Sequence, residues 1–105
     1  MEWIQIFPDS TRARQVLVPG KPMTITAGNR RLCVALINDR LVAISDKCPH
    51  NGESLGKGRL NHLGEVICPW HGYRFNMVTG RCSEPCADAE TFPVREGADG
   101  VFVAV

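Results

Sequence analysis

Short runs rich in Val, Ile and Thr, each closed off by Gly, Pro, Asn or Asp, set the texture of this chain. That is the pattern of strands and turns rather than of helices. It predicts strands at residues 2–7, 15–18, 23–26, 31–37 and 41–45, with Asn38, Asp39 and Arg40 forming the turn between the last two. A closing hairpin is equally plain: strands at 91–96 and 101–105 flank Gly97-Ala98-Asp99-Gly100, and Phe92, Val94, Val101, Val103 and Val105 form an apolar set with the alternate positions facing outward. No stretch sustains an apolar spacing of 3.6 residues, so residues 10–15 and 87–90 are the two places where at most a turn of helix fits.

Between Asp46 and Glu90 the pattern changes, because glycines and prolines cut the chain into short apolar pieces such as "GEVIC" and "YRFNMVTG". Both ends of the chain therefore read as sheet, and residues 46–90 read as an insertion that carries the chemistry. The expectation is one all-β domain over residues 1–105. Its 105 residues suffice for a single modest core, burying about two-thirds of the unfolded chain's surface.

Charge narrows the function classes. The formal net charge is +1 with no run of like charges, which gives no footprint for nucleic acid. The opening "MEWIQIFPDSTR" lacks the basic start and unbroken apolar run of a secretory signal. The longest apolar run, residues 32–37, falls far short of the roughly 20 residues of a spanning helix. A soluble cytoplasmic protein with no membrane partner is expected, and in that setting five cysteines read as metal ligands or free thiols rather than a disulfide framework.

Two of those cysteines stand in related boxes, "CPH" at 48–50 and "CPWH" at 68–71. Spacings of two and three place neither pair on one helical face at i and i+4, so both belong to loop tips. Pro49 and Pro69 stiffen the boxes, and Gly52 and Gly72 permit tight bends behind the histidines. A tetrahedral zinc site accepts two Cys and two His. Zinc fingers, however, group Cys with Cys and His with His, whereas here each loop supplies one of each and seventeen residues separate His50 from Cys68.

With these boxes the sequence resembles the Rieske family, whose signature is C-x-H followed after such a spacer by C-x-x-H. The stretch "HGYRFNMVTG" after the second box is similar as well, and the likeness runs from "WIQIF" to "PVREGADGVFVAV", as in free-standing Rieske ferredoxins. The resemblance implies an antiparallel β-sandwich with a small cluster-binding subdomain inserted between strands. It implies one [2Fe–2S] cluster, with Cys48 and Cys68 on the inner iron and His50 and His71, through their δ nitrogens, on the outer iron near solvent.

Departures from the family pattern narrow the expectation. Glu53 and Trp70 occupy the positions of two further cysteines that brace the loops in cytochrome-complex members, so packing, the prolines and ligation itself must hold the loops here. Tyr73 and Phe75 stand where high-potential members carry a Ser and a Tyr whose hydroxyls donate to sulfur. Lacking those donors, the cluster is expected at the low end of the roughly −150 to +300 mV Rieske range, unless the phenol of Tyr73 reaches a sulfur. The resemblance thus implies a soluble one-electron carrier that takes electrons from a flavin- or iron–sulfur-containing reductase and passes them to a terminal oxygenase. A small subunit of a nitrite reductase-like enzyme, or a structural zinc module, are the alternatives. Catalysis on a substrate is not expected, because a mononuclear iron site needs further histidines and a carboxylate and His62 alone remains.

Other residues have plainer readings. His62 in "LNHLGE" is expected at an exposed hairpin tip, and Cys33 as a small apolar core residue. Cys82 and Cys86 are expected as free thiols, and Pro85 between them is either an ordinary turn proline or part of the family's third loop over the cluster. Lys47, Lys57, Arg59, Arg74 and Arg81 outnumber Asp46, Glu53, Glu65 and Glu84 around the boxes. They read as a solvated face, part of which rims the histidines for transient docking.

Overall fold

The computed structural model describes residues 2–70 and 72–105. Its elements, in order, are β1 (Trp3–Phe7), α1 (Ser10–Val16), β2 (Met23–Ala27), β3 (Arg30–Ile37), β4 (Arg40–Ser45), a 3-10 turn (Leu55–Lys57), β5 (Arg59–Leu60), β6 (Glu65–Ile67), β7 (Arg74–Asn76), β8 (Thr91–Phe92), β9 (Val94–Gly97) and β10 (Gly100–Ala104). They form three antiparallel sheets, ordered β1-β10-β9, β2-β3-β4-β8 and β5-β6-β7.

The β3–β4 hairpin sits at the centre and explains the longest apolar run. Leu32, Val34, Leu41 and Ala43 point into a core shared with Phe7, Ala13, Leu17, Val101 and Val103. Their neighbours Cys33, Ala35, Val42 and Ile44 point the other way, into a second core with Leu55, Val66, Phe75 and Met77 of the insertion. A strand buried on both faces reads as a continuous apolar run, not an alternation. Asn38 and Asp39, at φ of 50° and 63°, form the two-residue turn that keeps the hairpin in register.

Two expectations need correction. Residues 15–18, expected as a strand, instead hold the last two residues of α1, Gln15 and Val16, its C-cap Leu17, and Val18 beyond it: Asp9 caps the helix by accepting the Arg12 N–H at 2.7 Å, and Ala13 and Leu17, one turn apart, are buried. The strand expected at 91–96 is broken at Pro93, which has no N–H for a ladder. β8 before it pairs with β4, and β9 after it pairs with β10, so this segment carries the chain from one sheet to the next. Its last ladder pair is Gly97 with Gly100, with Ala98 and Asp99 at the tip.

Asp46 fixes the insertion to the sandwich. It was grouped with the surface charges by sequence, but it is 3% exposed. Its Oδ1 accepts from Thr24 Oγ1 at 3.0 Å and Gly56 N at 2.8 Å, and its Oδ2 from Ser54 Oγ at 2.6 Å, with Arg31 Nη2 at 3.6 Å. Its main-chain oxygen accepts the Leu55 N–H at 2.7 Å. The 3-10 turn can come this close to β2 because residue 56 has no side chain: a Cβ there would stand 2.0 Å from Thr24 Oγ1 and 2.8 Å from the Thr24 nitrogen.

Candidate metal centre

Both boxes lie on loops of one construction. In the first, the Cys48 N–H donates to Glu53 O at 2.8 Å and the Gly52 N–H donates back to Cys48 O at 2.7 Å. In the second, the Cys68 N–H donates to Tyr73 O at 2.8 Å and the Gly72 N–H to Cys68 O at 3.2 Å. The pattern, i to i+5 and i+4 back to i, is identical although the boxes differ in length by one residue. Gly52 and Gly72 occupy the same place in each loop at φ of 79° and 72°, the left-handed conformation that closes the bend. The expectation that these glycines permit the turns behind the boxes is met.

The loops bring Cys48 and Cys68 together as buried neighbours, each 1% exposed, on the apolar floor of the second core. Burial pushes the Cys48 thiol up. Backbone N–H groups of Asn51 and His50 act in the opposite direction, and the adjacent Cys68 side chain raises it further. The sulfur of Cys68 has a partner from the other loop, Asn51, whose Nδ2 lies 3.7 Å away. Nearer the surface, the His50 ring stacks on Tyr73, with centroids 4.0 Å apart and planes 20° from parallel, so the first loop rests on the second. Trp70 of the second box is 67% exposed. His71 lies outside the described residues, and among those described no three His, Cys, Asp or Glu side chains by themselves define a metal centre.

Residues 8–95 match the Rieske [2Fe-2S] domain family. The chain belongs to that family. Among its relatives is the ferredoxin CarAc of Metapseudomonas resinovorans, 42% identical over 91 residues that cover 80% of this chain and 83% of CarAc. Apoptosis-inducing factor 3 of Homo sapiens is 38% identical over 74 residues, 70% of this chain, and there the matched part is 11% of a much longer protein. Among solved structures, the complex of reduced oxygenase and oxidized ferredoxin in carbazole 1,9a-dioxygenase contains a chain that matches at a TM-score of 0.75 and 32% identity, over 85% of this chain and 93% of that one. The ferredoxin of carbazole 1,9a-dioxygenase from Nocardioides aromaticivorans shares the fold at a TM-score of 0.84 and 24% identity, over 99% of this chain and 98% of that one.

One Rieske-type [2Fe–2S] cluster is the cofactor of this family, and the site fits it. Two buried thiols this close cannot both ionise in an apolar pocket without a cation, and a bound iron would supply that charge if both cysteines held it as thiolates. The position of high-potential hydroxyls is apolar here, since Phe75 is fully buried in the second core. Tyr73 contacts His50, and among the described residues its hydroxyl makes no hydrogen bond to either sulfur.

The remaining sequence readings divide. Cys33 is buried in the core, where burial first and Asp46 second push its thiol up, and it is inert packing. His62 is exposed at the tip of the turn from Asn61 to Gly64, whose Asn61 Oδ1 accepts the N–H groups of Leu63 and Glu65 at 3.0 Å each. Cys82 and Cys86, expected as free thiols, are instead joined in a disulfide. Their loop doubles back so far that the two Cα atoms stand 6.2 Å apart, within bridging range. Pro85 is exposed in that loop, which is tied to β7 by Ser83 N to Arg74 O at 2.8 Å and Arg74 N to Ser83 Oγ at 3.1 Å. Asp46 and Asn51 are the residues that motif reading missed; the sole cue for either was its place, two residues before the first cysteine and one after the first histidine.

Proposed function

We propose that this chain is a one-electron carrier whose cluster is held by Cys48 and Cys68 on the inner iron and by His50 and His71 on the outer iron. The observation that carries the reading is the pair of matched loops, each delivering one buried cysteine to a common floor while His50 stays at the surface. When bound, the cluster supplies a site that gains and loses one electron. The chain's part is to exclude water from the thiolate side, through the apolar residues of the second core, and to leave a short path to solvent on the imidazole side.

Residues 46–90 act as the cluster-binding subdomain of a single domain spanning residues 1–105. The chain works in the cytoplasm, receiving electrons from a flavin- or iron–sulfur-containing reductase and delivering them to a terminal oxygenase; the complex of oxygenase and ferredoxin among its relatives supports the last of these steps. Its own residues carry out no catalysis on a substrate. Lys57 helps to form the docking rim: it lies where two grooves meet, one bordered by Lys47 and Gly52 of the first loop, the other by Arg59, Cys68, Pro69 and Gly72 of the second. Arg74 contributes less, being turned toward Glu65 at 4.0 Å.

Anaerobic purification tests the reading. A red-brown protein with equal iron and acid-labile sulfide, which accepts an electron from a reductase and loses its colour in C68S, is expected. A colourless protein containing zinc would overturn it.

A further inference from the structure

Asn51 belongs to neither box, yet it is the residue through which the two loops meet at sulfur. Its Oδ1 accepts the Glu53 N–H at 2.9 Å, closing the first loop as an Asx turn. That contact settles which end of the amide is which: with the oxygen engaged by a backbone donor, the NH2 group faces outward. It faces Cys68 of the opposite loop, with Nδ2 at 3.7 Å from Sγ. The Oδ1 to Sγ distance is 3.8 Å, so a neutral thiol can also donate back. A metal-bound thiolate has no proton and can only accept, so the contact that persists in the loaded protein is N–H to sulfur.

We propose that Asn51 is a potential-tuning residue, whose carboxamide donates to the Cys68 thiolate and stabilises the reduced cluster. It supplies from the first loop, and across the gap between loops, the kind of donor that Tyr73 and Phe75 do not provide from the second. The proposal rests on Cys68 being a cluster ligand. Reduction adds negative charge that spreads onto the sulfurs, and a donor to sulfur gains strength as that charge grows. Removing such a charge-assisted hydrogen bond weakens the preference for the electron by about tenfold, equivalent to about 59 mV for a one-electron couple.

The test is the midpoint potential of N51S and N51D, with iron and sulfide content measured on the same samples. Serine keeps an acceptor for the Glu53 N–H but is too short to reach sulfur; aspartate keeps the turn and sets an anionic oxygen against the thiolate. A full cluster with a potential about 59 mV more negative in N51S, and lower still in N51D, is expected. The Fe–S(Cys) resonance Raman bands should respond to deuterium exchange more strongly in the wild type than in N51S. A fully loaded N51S or N51D at the wild-type potential would overturn the proposal alone. A C68S variant that kept an unaltered cluster would overturn the ligand assignment, and the proposal with it.

Discussion

Replacing Asp46 tests how the cluster-binding insertion is held. In D46A the Gly56 N–H, the Thr24 hydroxyl and the Ser54 hydroxyl lose their shared acceptor. The two hydroxyls can rotate toward other partners, but the Gly56 N–H is fixed in the narrow space beside Thr24. Leaving a buried donor unsatisfied costs about 1–3 kcal/mol, and bonds to a charged acceptor are the stronger kind. The Arg31 contact adds little, because that side chain is 63% exposed. The sum is about 3 kcal/mol, a large fraction of the roughly 5–15 kcal/mol available to a domain of this size. With a urea slope of about 1.5 kcal/mol/M, the unfolding midpoint should fall by about 2 M, followed by circular dichroism on the apoprotein. D46N, which keeps one acceptor oxygen, should fall about half as far, and G56A should resemble D46A because its Cβ has no room. E84A, on an exposed loop, is the control. A D46A midpoint within about 0.3 M of wild type would refute the reasoning.

Other outcomes follow from separate parts of the fold. Glu96 is held below the ordinary carboxylate range, chiefly by Arg14, with Ser10 and the Leu41 N–H assisting. Because the folded value is depressed, this stability is present above about pH 4.3, the unfolded value, and is lost as pH falls through the folded one. R14M should therefore be about 0.5–1 kcal/mol less stable than wild type at pH 7, with the gap closing toward pH 3 in urea titrations, since both side chains are partly exposed. If the rim docks on an acidic partner, K57E with R59E should slow electron delivery about tenfold at low salt and flatten the decline that added salt causes in the wild type, as read by stopped-flow reduction. Removing the Cys82–Cys86 cross-link, which closes a five-residue loop, should cost at most about 2 kcal/mol. That difference should disappear when wild type is unfolded in excess dithiothreitol, with cluster content unchanged.

Much of this was legible in the sequence because it depends on local rules. The Asn38-Asp39 turn, the closing hairpin and the alternation of apolar positions follow from residue type and period alone. The matched loops were visible as paired Cys and His with a Gly behind each. Of helix α1 the sequence showed no more than a turn at residues 10–15, because its seven residues are too few for a period to show; Asp9 as a cap was the further signal. The break at Pro93 was readable in principle, since proline cannot donate within a ladder, but which sheet each half joins depends on distant strands. Asp46 and Asn51 belong to a different class. Nothing near Asp46 in the sequence distinguishes a buried carboxylate from an exposed one, because its partners come from β2 and from ten residues downstream. The partner of Asn51 is in the opposite loop, so its role appears only when the two boxes are placed together.

The central claim, a cluster with one thiolate-bound and one imidazole-bound iron, is tested most directly by pulsed electron paramagnetic resonance of the reduced protein grown with nitrogen-15 histidine. Two histidine nitrogens coupled to the cluster are expected, one coupling disappearing in H50A or H71A and both retained in H62A. A reduced cluster with no histidine coupling, or a coupling that survives in both H50A and H71A but not in H62A, would contradict the account.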